Sequence, residues 1–494
     1  MKGRNTMKVL YGILIALAVF IVITLIRAIF FVPKTKKYEP LEDEHIDVDR
    51  VAKHLSGAIQ IPTVSYPENE KVDWAKFDEF HKYLEESYPL IHKNLEREDV
   101  AEASLIYRWK GKNPDLEPIA LLGHQDVVPI EAGTEEDWTH EPFAGVNDGE
   151  FIWGRGALDM KNHLICVMEA VEALLEDGYQ PERDVYLLFG HNEEVVASDH
   201  SGAKAIMNTL KQRGIHLDSV LDEGGAIIPV HIKNIMDANL AGIGIAEKGY
   251  ADFEISVSAK GGHSSQPRKH SAIGELAEVI KDIEGHQFKS KLEPFISTLF
   301  SKIGRRATYP ARIVTCNIWL LKPLIKLIMK QIPASAALIR TTTAVTMAEG
   351  SPAANVLPQV ASVTVNFRMM PGVTTKDVEK HLRKVIKNKN VEIKCLKSKE
   401  ASMFSPTDSR AFNAMDELCM RSDPKNIVAP YLMMGGTDAC FYEPVCDNIY
   451  RFAPFHLSPR LLSTTHATNE RCPIEILDEG VSFFKRYIKV LTKD

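Results

Sequence analysis

The 494-residue sequence has few cysteines, seven in all (Cys166, Cys316, Cys395, Cys419, Cys440, Cys446 and Cys472), and none stands in CxxC spacing. So sparse and odd a set makes neither a disulfide framework nor a thiolate zinc site. Excess charge of either sign is also missing. The chain has 59 Lys and Arg against 66 Asp and Glu, a net charge of −7, so it offers no basic face for phosphates and nucleic acid is not an expected partner. There is no HExxH, no GxSxG, and no GxxxxGK followed by Ser or Thr. One-zinc zincins, serine hydrolases and P-loop enzymes therefore have no footing. The glycines of AGIGIAEKG and GRGAL lack dinucleotide-loop spacing, and no internal repeat or low-complexity tract occurs. What remains is a globular composition, 45% hydrophobic and 25% charged, with a length for two or three domains.

One segment departs from that average. Residues 9–32, VLYGILIALAVFIVITLIRAIFFV, are apolar apart from Arg27 and long enough to cross a bilayer as one helix. A cleaved signal would be shorter and end in a small-x-small site, whereas this run ends in FFVPKTKK, so an uncleaved single-pass anchor is expected. Lys2, Arg4 and Lys8 before the run nearly balance Lys34, Lys36 and Lys37 after it. The lean is towards an extracytoplasmic catalytic part.

Between about 50 and 245, strand-like runs at 118–128, 184–194 and 219–225 alternate with helical periodicity, as at 160–178. That pattern predicts βαβ units and a largely parallel sheet. From about 250 the period becomes two, in ADFEISVSAKGG and ASVTVNFRMM, with an amphipathic helix after them. The expected organisation is an anchor with its flanks (1–37), a first catalytic part (38–247), an inserted α+β lid domain (248–400) and a second catalytic part (401–494). Within the insert, residues 317–332 are apolar enough for a membrane-surface helix, but Pro323 and three lysines favour a lid or packed helix.

Each strand-like run closes on metal-binding residue types: His124 and Asp126, then Glu193 and Glu194, then Asp222, with Asp159 opening the helix after GRGAL. The spacings, 35, 34 and 28 residues, are each about one strand and crossover. In an open α/β sheet such strand ends share the ligand-binding edge. Clustered carboxylates raise one another's pKa unless a cation compensates. Two divalent ions would do so. Donors of His, Asp and Glu without Cys suit zinc, with cobalt or manganese as options, and His466 is the best candidate for a further ligand. Singly, each signal has a plainer reading: a buried His paired with Asp126, a solvated Glu pair, a helix cap at Asp159.

Taken in order, GHQDVVP, GRGALDMK, HNEEV, LDEGG, GGHSSQP and THATNE resemble the dinuclear zinc carboxypeptidase and aminoacylase superfamily of metallopeptidases. The anchor, the length and the stretch from EKGYADFEISV to GGHSSQP look most like the carboxypeptidase S and N-acyl-amino-acid hydrolase branch. The resemblance spans roughly residues 45–490 and implies a zinc-binding α/β catalytic domain with an inserted α+β lid. It also implies that His124, Asp159 and Asp222 hold one zinc, and Asp159, Glu194 and His466 the other. Asp126 would orient His124, Glu193 would be the general base, and His263 would stabilise the oxyanion.

By the same resemblance, Asn355 and Arg368 would meet the substrate, and the Gly435, Gly436, Thr437 and Asp438 loop would bind its carboxylate. Related sequences usually carry an arginine where this chain has Cys440, a departure that either weakens the usual preference for a free carboxylate or shifts that contact to Arg368, Arg451 or Arg471. The expected function is a membrane-anchored dinuclear zinc hydrolase cleaving a peptide or amide bond next to an amino acid, of carboxypeptidase or dipeptidase type. An N-acyl-amino-acid hydrolase is the alternative, and a catalytically silent binding module stands further off. Oligomeric state stays open.

Overall fold

The computed structural model describes residues 2–33, 39–195, 198 and 200–493. The Lys34, Lys36 and Lys37 flank and the 37/38 boundary lie outside the described residues. The alternating first half folds into a nine-stranded sheet. Its order is Glu96–Val100, Ser104–Trp109, Val185–Gly190, Ile119–His124, Ser219–Asp222, Ile449–Arg451, Met236–Glu247 and Asn426–Met433, with Ile227–Ile232 paired to Met236–Glu247.

The expectation of a largely parallel sheet needs correction, because four neighbouring pairs are parallel and four antiparallel. The cause is local. Three residues separate Val100 from Ser104 and Ile232 from Met236, too few for a crossover, so both connections are hairpins. The four central strands remain parallel. Two of these, Ile119–His124 and Val185–Gly190, are buried throughout, as strands covered on both faces must be. On one face Leu105, Leu121 and Leu187 share a core with the helices Val48–Ile59, Lys161–Glu176 and Glu475–Leu491. On the other, Ile106, Leu122 and Leu188 pack against the helix Gly202–Gln212. The register sets His124 opposite Gly190 and Leu121 opposite Leu221, so three strands end on one rim.

The period-two segments form a separate antiparallel sheet, ordered Thr342–Glu349, Val360–Met369, Gly249–Ser258 and Val391–Lys399. Its alternate residues are buried under the helices Ala272–Gly285 and Thr375–Val385. The second of these helices opens on a capping box of Thr374 and Asp377. Residues 294–340 leave this sheet. Four helices, Pro294–Arg306, Tyr309–Cys316, Ile318–Met329 and Pro333–Ala337, instead send Phe295, Ile296, Ile325 and Met329 into the main core. The N-terminal helix Lys2–Phe30 holds a stretch, Leu10–Phe30, of mean hydropathy 2.9, long and apolar enough to cross a membrane.

One buried ion pair lies where the last of the four parallel strands, Ile449–Arg451, meets its antiparallel neighbour Met236–Glu247. Arg451, fully buried, donates through Nη2 to Glu247 Oε1 at 2.9 Å, while Glu247 Oε2 accepts the Thr437 N–H at 2.5 Å. Removing one member of such a pair leaves an uncompensated charge. Arg451→Met is therefore expected to destabilise the fold by about 3–5 kcal/mol, read as a lower denaturation midpoint in urea. An unchanged midpoint would show that the pair does not hold the strands together.

Candidate metal centre and active-site cavity

The rim is built around Asp126. Its carboxylate is fully buried and accepts hydrogen bonds from Ser65 Oγ at 2.6 Å and from the backbone N–H groups of Glu193 and Glu194 at 3.1 and 3.2 Å. One side chain thus fixes the turn that presents both glutamates. The Asp126 backbone oxygen faces His124 Nδ1 at 2.9 Å. A proton on Nδ1 satisfies that carbonyl, and Nε2 then points at Asp159 Oδ1 and Glu223 Oε1, each 3.2 Å away.

Asp159 is positioned from a distant part of the chain. The buried Glu470 accepts the N–H groups of Leu158 and Asp159 at 2.8 and 3.2 Å and pairs with Arg155. The same loop carries His466, whose Nε2 lies 3.0 Å from Asp159 Oδ2 and 3.1 Å from Glu194 Oε1. Two trios that could each hold a cation, His124 with Asp159 and Glu223, and Asp159 with Glu194 and His466, therefore share Asp159, and a third set, His124 with Glu193 and Glu194, is also close enough to hold one.

The structure departs from the expected ligand set at Asp222. That carboxylate accepts the Glu223 N–H and the Ala439 N–H, each at 2.9 Å, and joins neither trio. The reason is strand alternation: Val220 and Asp222 face the core that contains Ala439, and Glu223 points the other way, to the rim. Gly225 follows because the Gly242 carbonyl oxygen passes 2.3 Å from where a Cβ would sit.

His263 and Asn355 lie apart from the cluster. They lie on a two-stranded ribbon in which Gly262–His263 pairs with Val356–Leu357, both exposed, with Ser264 N–H donating to the Asn355 carbonyl. Neither lines the cavity beside the acidic cluster. Gly435, Gly436 and Asp438 do line it, and Thr437 is turned away to hold Glu247 and, through its carbonyl, Lys399. Of the arginines considered in place of the residue at Cys440, Arg451 is committed to Glu247 and Arg471 packs on Phe151 and Trp153. Arg368 lines the cavity and stacks on Tyr250 at 4.8 Å. Sequence reasoning missed two more basic side chains there, Lys248 and Lys399.

The cavity measures about 740 Å³. The acidic cluster closes one side of it, and an apolar wall that includes Ile228, Leu240, Leu299, Leu338, Phe455 and Leu457 extends from there. Electrostatics at the cluster are strained in the bare protein. Burial, with the charges of Glu194, Glu223 and Asp438, pushes Glu193 well above the usual carboxylate range. Burial and the Asp159 charge push Glu194 up to about 6 and Glu223 to about 8. Burial would lower His124, but the Glu223 charge and its hydrogen bonds to Asp126, Asp159 and Glu223 drive it up. Oxygen and imidazole donors that repel one another in a buried rim fit divalent cations.

A buried carboxylate and imidazole cluster on the strand ends of an α/β sheet, opening on an apolar cavity, defines a metallohydrolase. The chain belongs to peptidase family M20/M25/M40, whose sequence profile it matches over residues 120–490. It is 36% identical to the probable carboxypeptidase S-like 2 of Dictyostelium discoideum, over 98% of this chain and 94% of that protein. It is 33% identical to the N-fatty-acyl-amino acid synthase/hydrolase PM20D1 of Mus musculus, over 91% of this chain and 88% of that protein. Among solved structures, the M20 family metallo-carboxypeptidase Sso-CP2 of Sulfolobus solfataricus superposes with a TM-score of 0.64 at 20% identity, covering 89% of this chain and 98% of that one.

The reassignment at 222 and 223 is open to a direct check by elemental analysis of dialysed protein. Glu223→Gln is expected to lose one bound ion per chain, whereas Asp222→Asn keeps both. Asp126→Asn, which disturbs ligands without being one, is expected to weaken metal affinity by about 10–100-fold. The opposite pattern at 222 and 223 would restore Asp222 as the ligand.

Proposed function

We propose that this M20 metallohydrolase is held at a membrane by its N-terminal helix and cleaves the amide bond between an apolar acyl group and an amino acid with a free carboxylate. The observation that carries the reading is one cavity in which the acidic cluster, an apolar wall and the basic groups Arg368 and Lys399 meet, with Lys248, which burial pushes down to about 7, beside them. An acyl chain matches the wall, and the planar fork of Arg368 suits a carboxylate. The mouse relative, named for N-fatty-acyl-amino acids, supports the same reading.

His124, Asp159 and Glu223 would hold one divalent ion and Asp159, Glu194 and His466 a second, with zinc favoured by the donor set and cobalt or manganese as substitutes. Such a pair supplies Lewis acidity for the carbonyl and makes water more acidic. Glu193 lines the cavity with Oε2 4.0 Å from His124 Nε2, and although it could also share a cation with His124 and Glu194, its place on the cavity wall suits it to move a proton. It takes the proton of the attacking water and returns it to the leaving nitrogen. Asp126 keeps Glu193 in place through the backbone. Arg368 and its neighbouring lysines orient the carboxylate so that the amide lies over the rim.

The name of the Dictyostelium relative, carboxypeptidase S-like, favours a second reading in which the wall takes an apolar side chain of a peptide. Kinetics on a panel of long-chain N-acyl amino acids and dipeptides, with and without a chelator, separates the two. The expected outcome is chelator-sensitive turnover with kcat/KM highest for the long-chain amides. Glu193→Gln is expected to lower kcat by roughly 10²- to 10⁴-fold with metal retained. Turnover confined to dipeptides would overturn the acyl reading, and turnover insensitive to chelator would overturn the mechanism.

A further inference from the structure

The four-helix excursion at 294–340 is unlike the rest of the chain in charge. It contains eight Lys and Arg residues and no Asp or Glu, inside a protein of net charge −7. Its helix Ile318–Met329 has two apolar sides. Ile318, Ile325 and Met329 are buried against the protein, while Leu320, Leu324, Leu327 and Ile328 are between 42% and 57% exposed. At about 100° per residue these four share one sector of roughly 100°. By the same count Lys322, Lys326 and Lys330 fall about 110° to 170° from the centre of that stripe, on the other side of the helix. An exposed apolar stripe with lysines on the opposite, polar side is the pattern of a helix lying in a membrane interface.

The excursion is also fastened to the helix proposed as the anchor. Tyr309 Oη donates to the Leu25 carbonyl at 3.2 Å, Asn317 Nδ2 to the Thr24 carbonyl at 3.3 Å, and Arg27 Nη2 to the Cys316 carbonyl at 3.4 Å. Trp319 meets Phe20 edge to face, with ring centroids 6.0 Å apart, and Arg27 lies over the same indole. Phe20 precedes Arg27 by seven residues, about 10 Å of helix. With Arg27 at the headgroups, the start of the Ile318–Met329 helix therefore sits within the acyl boundary.

We infer that residues 294–340 form a platform that lies in the surface of an anionic bilayer beside the anchor and holds the cavity mouth there, so that an amphiphilic substrate enters from the lipid. Leu299 and Leu338 belong to this excursion and to the cavity wall at once. The inference rests on the anchoring reading for the N-terminal helix and on the acyl reading for the cavity, and both can be tested apart from it.

The full chain is reconstituted in phosphatidylcholine and phosphatidylserine vesicles with brominated acyl chains, alongside Trp319→Phe. Carbonate-resistant flotation reports the anchor, and tryptophan quenching reports the platform. Trp319 is one of five tryptophans and the one on the excursion, so quenching is expected in the wild type and lost in Trp319→Phe. Equal quenching of both proteins in a chain that floats would overturn the platform and leave the anchor standing, which is also the outcome if a second copy of the chain covers this face. Leu324→Glu with Leu327→Glu, neither in the cavity wall, is expected to lose turnover of long-chain substrate presented in vesicles and to keep turnover of a water-soluble N-acetyl amino acid. Unchanged turnover of both would overturn delivery from the lipid.

Discussion

Seven carboxylates, those of Asp126, Asp159, Glu193, Glu194, Asp222, Glu223 and Asp438, crowd one buried rim with two imidazoles, His124 and His466. Burying that much like charge is costly unless each group is satisfied, and the way each is satisfied sorts the residues by role. Asp126 is supplied by Ser65 and two backbone N–H groups, and Asp222 by two backbone N–H groups. Both are supplied by the protein itself and serve to shape the rim, which keeps Asp126 low although burial still raises Asp222. Glu194, Glu223 and Glu193 have no such supply, and their pKa values rise accordingly. Asp159 is held low by its hydrogen bonds to both imidazoles, against the pull of burial. The groups left short of positive charge are those that face the cavity, and this deficit is what two divalent ions would remove.

Much of the scaffold was legible because its periodicity is strong. The period-two runs at 250 and 360 do become neighbouring strands, paired from Gly249 with Met369 to Ser258 with Val360. The helical run after Asp159 becomes the helix Lys161–Glu176. The sheet's hairpins were not legible, since a three-residue connection leaves no signature in hydrophobic period. Asp222 against Glu223 was not legible either. The strand Ser219–Asp222 is buried on both faces, so alternation carries no polar label to say which of two acidic neighbours faces the rim. A clue was available in the chain direction: the residue just past a strand end is the freer of the two to reach over the edge. His263 and Asn355 were placed by motif alone, and motif fixes a position on the two-stranded ribbon without fixing what that ribbon faces.

Two buried ion pairs explain how a chain interrupted by a long insert keeps its rim assembled. Arg155 and Glu470 join the loop before Asp159 to the loop carrying His466, over 300 residues apart. Arg451 and Glu247 join the two sides of the insert, and Glu247 then takes the Thr437 N–H and so fixes the loop whose Asp438 carboxylate lies over Gly190. In both cases the carboxylate accepts backbone N–H groups as well as the guanidinium, the arrangement in which a buried pair specifies geometry and does more than balance charge.

Charge placement outside the rim carries the same logic to the whole molecule. Subtracting the +8 of residues 294–340 from the chain's −7 leaves −15 on everything else. Next to an anionic bilayer those two parts respond oppositely: the excursion is drawn to the surface and the remainder is held off it, within a Debye length of about 8–10 Å. Were the N-terminal helix to span a membrane, a loosely tethered body could still tilt against the bilayer. The contacts of Tyr309, Asn317 and Trp319 with that helix would limit the tilt, and the charge separation would favour the one in which the excursion carrying Leu299 and Leu338 meets the surface. The near-neutral total of the sequence thus conceals a separation of charge that would orient the cavity.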